Sequence, residues 1–130
     1  MTVMIATTDS PVRIEGVHGG TGEIQWKCFA RLHMLHSDMC GFEHARLGPG
    51  LAVGAHTHSR TDEIYFIVAG TGEMHVDDDV RTVGRGDLIL ASQGTTHALR
   101  NTGDVDLDFV VVEVFPPSVR AVLPAFSPEA

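Results

Sequence analysis

Two imidazoles separated by one residue, His56 and His58, are the first feature of the chain able to do chemistry. In an extended segment residues two apart share a face, so both rings can address one locus. Such a pair is weak on its own, because a chain with eight histidines carries about half of one by chance. Two further residues change its weight. Glu63 opens the apolar run that follows, and His97 comes after Gly94, Thr95 and Thr96. Three neutral imidazoles and one carboxylate make a mixed nitrogen and oxygen donor set suited to a divalent first-row metal. Four protein ligands on an octahedral ion leave two positions for water, dioxygen or a bidentate guest, which a catalytic site requires and a closed structural site lacks.

The elements that must carry these residues read as strands. Turn chemistry recurs at short intervals, at Gly48-Pro49-Gly50, Gly70-Thr71-Gly72, Asp77-Asp78-Asp79, Gly84-Arg85-Gly86 and Asn101-Thr102-Gly103. Between these turns lie runs rich in Val, Ile, Leu and aromatic residues at 42–47, 63–68, 88–90 and 107–114. Residues 12–17 and 23–30 look like two further strands of uncertain register. No stretch offers an amphipathic helix beyond a short turn around 119–123. Many short strands without alternating helices predict an all-β antiparallel sandwich or barrel. Pro116, Pro117, Pro124 and Pro128 cannot donate to a sheet ladder, so the barrel should end near Phe115.

With 130 residues, 43% of them hydrophobic and 20% charged, the chain suits one folded domain and not wholesale disorder. A formal net charge of -8 argues against nucleic acid or an anionic membrane surface as partner. No window approaches a membrane span, and the first residues lack a secretory signal, so a cytoplasmic protein is expected. Cys28 and Cys40 read as free thiols, too few for a four-thiolate zinc site. Asp77-Asp78-Asp79 reads as a polar hairpin turn, without the spaced ligands of a calcium loop.

At this point the residues resemble the cupins, small double-stranded β-helix barrels of jelly-roll type. The first cupin motif runs Gly, five residues, His-x-His, three or four residues, Glu, six residues, Gly. It is matched without departure by Gly50, His56, His58, Glu63 and Gly70. The second runs Gly, five residues, Pro-x-Gly, two residues, His, three residues, Asn. It is matched by Gly86, Gly94, His97 and Asn101, with Ser92 in place of the proline. Serine does not fix its backbone dihedral, which loosens the turn beside His97 but removes no ligand. The resemblance implies a single-domain cupin barrel over residues 41–115. Residues 1–40 would supply N-terminal strands, an exchange element between protomers, and 116–130 a proline-rich tail.

The same resemblance implies that His56, His58, Glu63 and His97 are the metal ligands. Spacing to Gly70 selects Glu63 over Asp62, which alternation turns to the opposite face. The ion itself is left open among iron, manganese, nickel, cobalt, copper and zinc. Tyr65 shares parity with Glu63 and should face the interior, where its hydroxyl either reaches a guest or simply packs. His44 is a candidate for the barrel mouth, with a structural role as its alternative. Glu113 is a candidate general base or a solvent-facing residue on an edge strand. His75 reads as peripheral, and His18, His33 and His36 have no assignable partner. Trp26, Phe29, Met34 and Met39 either pack in the core or form a lid or dimer seam.

The function so implied is a metal-dependent enzyme acting on a small oxygenated organic molecule, of dioxygenase or isomerase/cyclase type. The alternative is a non-catalytic module that binds a metabolite or sugar. Cupin barrels leave strand edges to be covered, so a homodimer is expected.

Overall fold

Turn residues divide the chain into short strands that pair antiparallel. The computed structural model describes residues 5–31 and 38–123. In order along the described chain come β1 (Val12–Glu15), a 3-10 turn (Val17–Gly19), β2 (Glu23–Arg31), β3 (Met39–Leu47), β4 (Ala52–Thr57), β5 (Asp62–Ala69), β6 (Thr71–Val76), β7 (Asp79–Gly84), β8 (Leu88–Ala91), β9 (Thr96–Asn101), β10 (Leu107–Val114) and α1 (Pro117–Arg120). They form a six-stranded sheet in the order β1-β2-β3-β10-β5-β8 and a four-stranded sheet in the order β4-β9-β6-β7. Two facing antiparallel sheets wound from one chain make the expected double-stranded β-helix barrel.

Alternation decides what each strand turns inward. Along β5, Glu63, Tyr65 and Ile67 are buried, while Ile64 is partly exposed and Phe66 and Val68 face solvent. Leu47, Ile67, Met74, Leu99 and Leu107 are almost wholly buried and fill the space between the sheets. None of these five lines the cavity described below, so packed core and open interior occupy different parts of the barrel. The outward face of the six-stranded sheet is also apolar: Phe66, Val68, Leu88 and Leu90 are 41–63% exposed.

Polar residues hold the turns. The β6–β7 hairpin turns at Asp77, whose backbone is left-handed (φ 51°). Its carboxylate accepts from the Thr96 amide at 2.9 Å, and its own amide donates to the Thr96 carbonyl at 2.7 Å. Asn101 is buried, and its amide donates to the Leu47 and Val105 carbonyls at 2.9 and 2.7 Å while its oxygen accepts from Gly103. That side chain therefore ties the end of β9 to β3. Among the described residues β10 is the last strand. The helical turn lies slightly earlier than expected, because Pro117 suits the first helical position.

Candidate metal centre

Register brings the ligand candidates together from both sheets. On the four-stranded sheet His56 of β4 stands directly opposite His97 of β9. On the six-stranded sheet Glu63 of β5 pairs with Glu113 of β10. One donor atom each from His56, His58, Glu63 and His97 lies within 4.8 Å of all the others. Glu63 is 2% and His97 1% exposed. Glu63 Oε1, which faces His58 Nε2, has no hydrogen-bond partner, and neither ring nitrogen of His97 has one. Buried polar atoms without partners are costly unless something else satisfies them, and a divalent cation taking Glu63 Oε1 and one ring nitrogen of His97 does so for those two. The donor set fits a first-row transition metal.

Surrounding groups prepare the rings for that task. His56 Nδ1 donates to the Gly54 carbonyl at 2.8 Å, which leaves Nε2 with its lone pair toward the cluster. Burial pushes the His56 imidazole down to about 4, with His18 and His97 adding to it against the Gly54 hydrogen bond, so the ring is neutral near pH 7. His58 Nδ1 lies 3.4 Å from the Thr61 hydroxyl, which in turn lies 3.5 Å from Glu113 Oε2. Assigned as His58 donating to Thr61 and Thr61 to Glu113, this chain gives His58 the same tautomer. Burial acts to raise the Glu63 carboxyl, but His97, His58 and Tyr65 outweigh it and hold the group below its ordinary range.

A cavity of about 560 Å³ opens onto the cluster. Its walls are mixed. Val53, Phe109 and Val111 give apolar surface, and Glu43, Tyr65 and Glu113 give polar groups. Tyr65 is buried beside His97, ring centroids 5.6 Å apart, and burial together with Glu63 raises its phenol well above the usual range. Glu113 faces this cavity because it shares parity with Phe109 and Val111 along β10, which is an interior strand between β3 and β5 and not an edge strand. Burial and the facing Glu63 raise its carboxyl. Burial also raises Glu43, against a hydrogen bond from Trp26 Nε1 at 3.0 Å.

His44 is not brought into the cavity. Its neighbours Glu43 and Ala45 line it, so alternation turns His44 to the other face of β3, where it pairs with Asp108 at 2.5 Å. Arg46 Nε donates to the same carboxylate at 2.8 Å, and Phe29 lies against the His44 ring. His75 is peripheral, bonded to Glu73. Trp26 forms a cavity wall, Met39 lies in β3, and His33, Met34 and His36 fall outside the described residues. Glu43 and His18 also line the cavity, outside the site residues expected from the sequence. Glu43 was legible from strand parity with Ala45 and Leu47, whereas His18, which stacks on His56 at 3.7 Å, had no such signal.

Two sheets with three imidazoles and a carboxylate converging between them, beside an open cavity, define a β-barrel with a candidate transition-metal centre. The family model for the Cupin domain matches residues 43–113. The chain belongs to the cupin family. It is 33% identical over 103 residues to an oxalate-binding protein of Thermotoga maritima, covering 79% of this chain and 85% of that one. It is 38% identical over 64 residues to a 5-nitrosalicylic acid 1,2-dioxygenase of Bradyrhizobium, covering 49% of this chain but 30% of that protein. The crystal structure of a predicted oxalate decarboxylase from Thermotoga maritima superposes with a TM-score of 0.83 at 30% identity, covering 87% of this chain and all of that one.

Proposed function

We propose that the chain holds a divalent transition-metal ion on His56, His58, Glu63 and His97, and uses it to bind a small, oxygen-rich carboxylate in the adjoining cavity. The observation that carries this is the set of buried, unpartnered donor atoms on Glu63 and His97 within the four-residue cluster. A bound ion supplies Lewis acidity and free coordination positions for the oxygen atoms of a guest. The chain supplies the rest. Thr61 and Glu113 orient His58, the Gly54 carbonyl orients His56, and the apolar walls exclude water from the guest. Glu113 and Tyr65 face the same space and are the groups assigned to move or hold a proton on the guest.

The reaction is of dioxygenase or isomerase/cyclase type, and the dioxygenase relative supports the former. The oxalate-binding relative supports a second reading, in which the guest is held and released unchanged. Elemental analysis of untagged protein, followed by incubation of the loaded protein with oxalate and with a salicylate in air, separates the two by whether the carboxylate is recovered. The first measurement also tests the centre. His97→Ala is expected to lower bound metal at least about tenfold, with the far-ultraviolet spectrum of a β protein retained. Full metal content in that variant overturns the site. The apolar outer face of the six-stranded sheet supports a homodimer, whereas β1 and β2, expected as an exchanging element, pair onto β3 of their own chain. Two free cysteines suit a reducing, cytoplasmic setting.

A further inference from the structure

The loop that carries His18 is built against the metal-bearing strand more tightly than a connection needs. The Gly16 amide donates to the Gly22 carbonyl at 3.0 Å, and the Thr21 amide donates to the Ala52 carbonyl of β4 at 3.1 Å. Two glycines make the contact possible. A Cβ on Gly54 would stand 2.0 Å from the His18 carbonyl oxygen, and one on Gly20 would stand 1.9 Å from the Ala52 carbonyl oxygen. His18 itself is left-handed (φ 52°, ψ 34°), a conformation uncommon for residues other than glycine and held here by the packed loop. The result is an imidazole laid flat on His56, 3.7 Å away and 11° from parallel, at the rim of the cavity.

An anionic guest reaching the His18 side of the cavity would need a donor there. No Lys or Arg lines it among the described residues. The Trp26 N–H is committed to Glu43, His56 and His58 face the ligand cluster, and the Tyr65 hydroxyl has Glu63 as its neighbour. Glu43 and Glu113 offer acceptor oxygens. His18 is outside the four-residue cluster, and its ring nitrogens have no hydrogen bond to the described chain.

We propose that His18 is the specificity residue of this cavity, donating a hydrogen bond to the outer oxygen of an anionic guest held at the four-residue centre. This deepens, and rests on, the carboxylate reading above. One N–H of a neutral imidazole suffices, so the role does not depend on protonating the ring.

The test compares wild type, His18→Phe and His18→Asn, each loaded with Co2+ and titrated with oxalate and with azide. Phenylalanine keeps a flat ring for stacking but no N–H, and asparagine tolerates the left-handed backbone and keeps a donor. All three should retain a full complement of Co2+. Oxalate should bind about tenfold more weakly to His18→Phe and within about threefold of wild type to His18→Asn. Unchanged oxalate affinity in His18→Phe overturns the proposal. So does loss of Co2+ from that variant, since His18 would then serve only to seat His56. A wild type that takes azide but not oxalate defeats the carboxylate reading alone. His18 is then judged on azide, whose affinity must fall by the same margin in His18→Phe. A wild type that takes neither anion overturns both.

Discussion

The Glu113 carboxylate is the residue on which two networks meet. It stands opposite Glu63 in register, where two like charges on neighbouring strands repel, and accepts from Thr61 on the way to His58. The Cys40 thiol donates to the same oxygen, Glu113 Oε2, at 3.5 Å. Burial and this neighbouring carboxylate both disfavour a thiolate and push the Cys40 thiol up to about 12. Alkylation proceeds through the thiolate, so a raised value slows it at any pH below that range. In a Cys28→Ser background at pH 8.5, iodoacetamide should label folded Cys40 roughly a hundredfold more slowly than the urea-unfolded chain. Equal rates would mean that the thiol is not held against Glu113. Replacing Glu113 by Gln should raise the folded rate, because the carboxylate's repulsion is then gone.

Strands, once paired, decide which of these residues meet, and this is where the limits of legibility lie. His56, His58 and Glu63 are near in sequence, on β4, the turn after it and β5, so the His-x-His pair together with the motif spacing to Gly70 exposes them. His97 was legible through its turn, since Gly94 and the residues after it mark the start of β9. Parity with Ala45 and Leu47 marks Glu43 as an inward residue of β3, but burial on both faces of the strand lets His44 compete for the same reading. Glu113 admits two roles in the sequence because only the sheet order makes β10 an interior strand. His18 was illegible for a different reason: its position depends on the absence of side chains at Gly20 and Gly54, which are distant in sequence. That dependence predicts a phenotype. In Gly54→Ala the new methyl group meets the His18 carbonyl, so the loop must lift from β4 or the strand must bend. Overpacking of this kind costs about 1–3 kcal/mol, and a fall of roughly 3–10 °C in melting temperature is expected in calorimetry. Wild-type stability in this variant would show that the loop is not seated on the strand.

The whole molecule couples its centre to its stability, because the donors come from both sheets. His56, His58 and His97 belong to the four-stranded sheet or its exit, and Glu63 belongs to the six-stranded one. A cation held by all four therefore cross-links the two sheets and binds the folded chain in preference to the unfolded one. Free metal at about a hundred times its dissociation constant adds about 2.7 kcal/mol, roughly 10 °C in a chain of this size. Chelation should remove that increment, and a melting temperature indifferent to chelator would count against the shared ion. The outer face of the sheet makes the last prediction. Phe66 pairs with Leu88 and with Val110, and Ile64 pairs with Leu90 and with Val112, so one continuous apolar surface runs across β8, β5 and β10. Soluble monomers rarely leave such a patch open, and a second copy of the chain offers a matching one about a two-fold axis. Light scattering of the wild type should give twice the 14.0 kDa of one chain. Leu88→Glu paired with Phe66→Arg puts charges where the patch must lose water, while the side chains stay outside the barrel core and away from the centre. That double variant should run as a monomer with its metal content intact. A wild type already monomeric, or a double variant that remains dimeric, would remove this face as the contact.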